Sequence, residues 1–144
     1  MGRTRHDEDL YQLAMHWAST RRELLGLRSP KLQSEFVGAI RCSLRNLQRH
    51  GDGASAYTTR EQFFPEVYVG DAFLLNQAFK AMPPEIAAVW EAHYVLPKIT
   101  ALQKAEMLYI STATYMTRLA EARAFARGFM NARDAAAQAR GANV

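Results

Sequence analysis

The chain has 144 residues, 49% of them apolar and 22% charged, with a formal net charge of +4. That length suits one domain, or one domain with an extension, and so large an apolar share excludes wholesale disorder. The lone cysteine, Cys42, excludes an intrachain disulfide and a cysteine-based zinc cluster.

Residues 1–6 are polar, and Asp7 is expected to cap a first helix, with Glu8 and Asp9 in its first turn where the helix dipole favours negative charge. Leu10, Leu13, Trp17 and Leu24 mark one face of that helix, and Gly26 suits its C′ position. Ser29-Pro30 opens a second helix, with Ser29 as N-cap and Pro30 at the first position. Phe36, Ile40, Leu44 and Leu47 recur along its stripe, on which Cys42 reads as a buried, inert thiol.

His50 to Ala56 reads as turn or loop from its Gly, Asp and Ser content. The segment 51–70 is expected to be a loop or a short ordered connection. Its aromatic residues Tyr57, Phe63, Phe64 and Tyr68 are candidates for contact with a protein partner or with a second copy of the chain.

Asp71 is expected to cap a helix over Ala72–Met82. Pro83-Pro84 breaks it and starts the next, Glu85–Tyr94, with Ile86, Val89, Trp90 and Tyr94 buried and Pro97 as its stop. A short helix over Thr100–Leu108, a turn at Tyr109–Ser111 and a long helix from Thr112 to about Met130 follow. Residues 131–144 are Ala-rich without an apolar stripe and are expected to form a flexible tail.

No segment alternates as a half-buried strand does, so the expected fold is all-α: a small helical bundle with a C-terminal helix-turn-helix. Its expected organisation is an N-terminal helical pair (1–50), the connection 51–70, a helical domain 71–130 that holds the helix-turn-helix at 100–130, and the tail.

The charge is uneven. Lys and Arg against Asp and Glu number nine to five in residues 1–50, two to four in 51–82 and seven to five in 83–144, so two basic regions flank an acidic middle. Arg21, Arg22, Arg28, Lys31, Arg41, Arg45 and Arg49 form either a solvated face or a second nucleic-acid contact. There is no 18-residue apolar run and no apolar signal core in MGRTRHDEDL, which predicts a cytoplasmic protein.

The stretch from Ala101 to Arg123 has the apolar spacing of a helix-turn-helix. Ala105 is the small residue that two crossing helices need, and Leu108, Ile110, Tyr115 and Leu119 close the core around it. Ser111 suits the N-cap of the second helix, whose seam Tyr115, Leu119, Ala122, Ala126 and Phe129 advances by alternate steps of four and three. That leaves Thr112, Ala113, Met116 and Thr117 facing the base edges, with Arg118 and Arg123 as phosphate contacts. Thr100, as N-cap of the first helix, aims backbone amides at a further phosphate.

The four histidines have no metal-ligand spacing, and His93, beside Trp90 and Tyr94, reads as a packed residue. Glu85 and Glu91 read as helix-surface carboxylates. There is no Gly-rich phosphate loop, nucleophile elbow or HExxH motif. The expectation is a protein that is no enzyme and needs no cofactor and no metal.

The stretch AMPPEIAAVWEAHYVLPKITALQKAEMLYISTATYMTRLAEARAFARG resembles the fourth conserved region of the sigma-70 type initiation factors. The features that carry the likeness are Met82-Pro83-Pro84, the helix Glu85–Tyr94, and Arg118-Leu119 followed by Ala122-Arg123. His93–Val95 and the short overall length look more like the Q-type antitermination proteins of lambdoid and related phages, whose fold is region-four-like. The likeness covers about the last third of the chain. Tyr109 departs from the family, which usually has Gly there, and a left-handed Tyr costs ~1 kcal/mol unless packing supports it. Gln103-Lys104 departs as well, where Glu-Ile or Glu-Ala is common, and the zinc motif of some antiterminators is missing.

What the resemblance implies is a phage late-gene antiterminator in a bacterial host cell. Such a protein binds double-stranded DNA near a late promoter and loads onto bacterial RNA polymerase, together with sigma factor and nascent RNA. It then suppresses pausing and termination, with self-association on DNA as a further expectation. Two other readings fit the same residues: a helix-turn-helix regulator of initiation, and a helical adaptor that binds only protein.

Overall fold

The computed structural model describes the backbone of residues 5–27, 29–50 and 68–142, and the side chains of 9–27, 29–41, 68–136, 138 and 139. Among these residues the protein is all-helical, a small bundle without strands: α1 (Arg5–Leu25), α2 (Pro30–His50), α3 (Asp71–Ala81), α4 (Pro84–Val95), α5 (Ala101–Met107) and α6 (Thr112–Ala142). None of these helices is long and apolar enough to cross a membrane.

Local chemistry accounts for most helix ends. α1 stops at Gly26, whose φ of 66° is left-handed. There Gly26 N donates to Glu23 O and Leu27 N to Arg22 O, the paired bonds of a Schellman turn. Ser29 caps α2, its Oγ accepting from Leu32 N at 3.2 Å. Pro84 takes the first position of α4, where its missing N–H leaves no bond unmade.

Three boundaries differ from expectation. α1 begins at Arg5, so Asp7 lies within its first turn and is not its cap. Gly70, with φ 63°, is the N-cap of α3, and Asp71 is its first helical residue. α6 runs on to Ala142 instead of ending near Met130. Its last dozen residues extend an existing helix, so their Ala-rich propensity acts without the cost of nucleation.

α4 is the centre of the bundle, packed against α1, α2, α5 and α6. It is apolar on every side: Ile86, Ala88, Val89, Trp90, Ala92, Tyr94 and Val95 are all buried. Burying side chains the size of its Ile and Val stabilises by about 1.5–3 kcal/mol each. The Trp90 ring lies 4.5 Å from Tyr94 and 6.1 Å from Trp17 on α1, centre to centre. Trp17 in turn donates Nε1–H to Asn76 Oδ1 on α3 at 2.9 Å.

Two charged residues cross this core. Glu91 is buried against Arg21, which it meets as a hydrogen-bonded ion pair. Glu91 is therefore no surface carboxylate, and Arg21 is no part of a solvated face. Glu85, in the first turn of α4, is exposed as a surface carboxylate, whereas Glu91, six residues on, faces the core.

Candidate nucleic-acid interface

α5 is a seven-residue helix held at both ends by its own sequence. At its start the Thr100 hydroxyl accepts from Gln103 N at 3.2 Å, and Gln103 Oε1 accepts from Thr100 N at 3.2 Å, a full capping box. The amides of Thr100 and Gln103 are spent inside the cap.

At the other end, Tyr109 adopts the left-handed conformation, with φ 59°. Tyr109 N donates to Glu106 O at 3.1 Å and Ile110 N to Ala105 O at 3.0 Å. That is a Schellman turn with Tyr where Gly is usual. Arg41, from the middle of α2, supports it. Its guanidinium carbon lies 4.3 Å from the Tyr109 ring centre, and its Nη1 donates to Met107 O at 3.0 Å.

Ser111 then starts α6. Its Oγ accepts from Thr114 N at 3.0 Å, and its carbonyl accepts the first helical bond, from Tyr115 N at 2.9 Å. Ala105, Leu108, Tyr115, Leu119, Ala122 and Ala126 are buried, and Ile110 and Phe129 pack against them. The helix-turn-helix core therefore comprises the residues whose spacing predicted it.

On the opposite face, Ser111, Thr112, Ala113, Met116, Thr117, Ala120 and Glu121 are exposed together along the first turns of α6. Arg118 is half-buried beside them. Arg123, expected to reach a phosphate, is instead turned inward: its Nε donates to the Tyr94 hydroxyl at 2.9 Å. Its Cα is adjacent to the buried seam, which brings the guanidinium against α4 rather than out to solvent.

A polar layer lies under the helix-turn-helix. The Tyr115 hydroxyl and His93 Nδ1 are hydrogen-bonded at 2.9 Å. Lys104, itself buried, donates to His93 O at 2.9 Å. Burial, then the charges of Lys104 and Arg123, lower the His93 pKa to about 4. Burial also lowers Lys104 to about 8 and pushes the Tyr115 phenol up.

Arg22 and Arg41, read from the sequence as part of a solvated face or a second nucleic-acid contact, thus have structural work at helix ends, as does Lys104. Lys104 and Arg22 take the last-turn carbonyls of α4, the latter at Val95 O (3.1 Å), and Arg41 takes Met107 O at the end of α5. The sequence signal for this was available only as an unexplained surplus of cations on α1 and α2. Lys31 is exposed, while the side chains of Arg28, Arg45, Arg49 and Cys42 lie outside the described residues.

Tyr68, expected to meet a partner, is 2% exposed and belongs to the core. It comes just before α3 and is drawn into the cluster with that helix. Tyr57, Phe63 and Phe64 lie outside the described residues. Among the described residues, no group of three or more His, Cys, Asp or Glu is placed to hold a metal ion.

Compared with family models, with curated proteins and with solved structures, the chain has no match.

Proposed function

We propose that this protein is a transcription factor that lays the first turns of α6 in the major groove of duplex DNA. On its resemblance to the Q-type antitermination proteins, it then loads onto bacterial RNA polymerase and suppresses pausing and termination. The observation that carries the DNA step is the exposed row Thr112, Ala113, Met116 and Thr117 on a helix set rigidly by the Tyr109 turn and the Ser111 cap. A recognition helix needs a fixed position on the body behind it and accessible side chains in front that can meet base edges.

Among the described residues, Arg118 is half-buried beside this row, while Lys104, Arg41 and Arg123 are engaged inward. Few phosphate contacts mean modest affinity with a shallow salt dependence. Modest affinity fits a protein placed by DNA and retained by polymerase. A gel shift on random duplex at low salt tests the DNA step. Readthrough of a terminator by purified polymerase, on templates with and without the gene's own promoter region, tests antitermination. Binding without any gain in readthrough assigns the protein to initiation control instead.

A helical adaptor is the second reading, favoured by the exposed apolar side chains Leu102 (56%), Tyr109 (70%) and Met116 (48%) at the same end of the molecule. Failure to shift any duplex at low salt would select it.

A further inference from the structure

We infer that the outer face of α6 selects thymine, by packing against the 5-methyl groups that line the major groove of A·T-rich DNA. The inference rests on the DNA-binding reading above and names what that site would recognise.

The exposed residues of the first two turns are Thr112, Ala113, Met116 and Thr117, and Ala120 and Glu121 are exposed on the third. None carries an amide, guanidinium or ammonium group. The bidentate pairs that identify guanine and adenine need Arg or Lys for the first and Asn or Gln for the second, and none of these exposed residues supplies either pairing. The chemistry on the first two turns is methyl and thioether, with two threonine hydroxyls, and the one carboxylate, Glu121, stands at the far edge of the row. Thymine is the one base that shows an apolar group in the major groove, so it is the base this surface complements.

A duplex is a better occupant than an apolar protein surface. The row begins at the positive pole of a 31-residue helix, Arg118 shares its turns, and the whole chain carries a net charge of +4. From residue 112 to residue 120 a helix rises about 12 Å. At about 3.4 Å per step along a strand, that length covers three to four base pairs. Each chain would therefore read a short thymine run.

The test uses the full chain and a random duplex pool, selected for binding at low salt. The enriched sequences should be thymine-rich. Replacing their thymines with deoxyuridine keeps every hydrogen-bonding group and deletes only the methyls. The uracil duplex should bind roughly fourfold more weakly for each methyl contacted, the effect of one buried methylene-sized group. Thr117→Ser, which deletes one methyl and keeps the hydroxyl, and Met116→Ala should each shrink that thymine–uracil gap. Both positions are exposed, so circular dichroism and melting should be unaltered. Duplex binding that is indifferent to uracil, a G·C-rich enriched set, or a gap untouched by both variants would overturn thymine selection while leaving DNA binding in place. If no duplex is retained at all, the DNA-binding reading fails, and thymine selection with it.

Discussion

Arg41 holds Tyr109 in the one left-handed conformation taken by a non-glycine residue among those described. The guanidinium stacks 4.3 Å from the ring centre and also donates to Met107 O, two residues back. A single α2 side chain thus fixes both the shape of the helix-turn-helix corner and its position against the rest of the bundle.

Removing that support gives a measurable coupling. Arg41→Ala should cost about 2 kcal/mol in urea denaturation, from the lost ring contact and the lost charged hydrogen bond. Tyr109→Gly should be nearly neutral, because relief of ~1 kcal/mol of backbone strain offsets the lost stacking. In the Tyr109→Gly background, Arg41→Ala should then cost ~0.5–1 kcal/mol less than in the parent. Equal costs in the two backgrounds would show that the ring contact contributes nothing.

The buried pair of Arg21 and Glu91 should behave asymmetrically. Arg21 also lies over the rings of Phe79 (4.9 Å) and Trp17 (5.8 Å), so it is embedded in apolar surroundings. Glu91→Leu alone should destabilise by about 3–5 kcal/mol, since it leaves a buried guanidinium without its carboxylate. The double replacement Arg21→Met with Glu91→Leu should recover most of that loss. Equal losses for the single and double variants would sink this account of the pair.

Acid should weaken the fold through His93. Its folded pKa of about 4 lies below the ordinary value of 6.5, so between those limits the unfolded chain binds a proton that the folded protein refuses. Stability therefore falls as pH drops from 6.5 towards 4, and the effect levels off below 4. Because the ring is partly exposed, the loss is of order 1–2 kcal/mol after solvent screening. His93→Asn should flatten this part of the curve of melting temperature against pH. Parallel curves for variant and parent would place the acid sensitivity elsewhere.

Arg118 and Arg123 should separate binding from stability. Arg118→Ala should weaken duplex binding and lower the salt slope by about one, with melting unchanged. Arg123→Ala should cost ~1 kcal/mol of stability through the lost Tyr94 bond. A duplex-binding loss in Arg123→Ala at full stability would reverse the two assignments.

Most helix ends and the core of the helix-turn-helix were legible from residue type and spacing. Ser29, Thr100 and Ser111 cap helices, Pro84 starts one, Gly26 ends one, and the seam Tyr115, Leu119, Ala122 and Ala126 is buried as its spacing requires. All of these follow from interactions within a turn or two of chain, where residue type and spacing suffice. Where the cations point depends instead on packing between distant helices. Arg21 meets Glu91 70 residues away, Arg41 reaches Met107 66 away, and Arg22 reaches Val95 73 away. An arginine bound for solvent and one bound for an orphan carbonyl on another helix look alike in a sequence. The difference is set by which helix ends the packing brings within reach, and that same packing turned Arg123 and Tyr68 inward while leaving Thr112, Met116 and Thr117 in front.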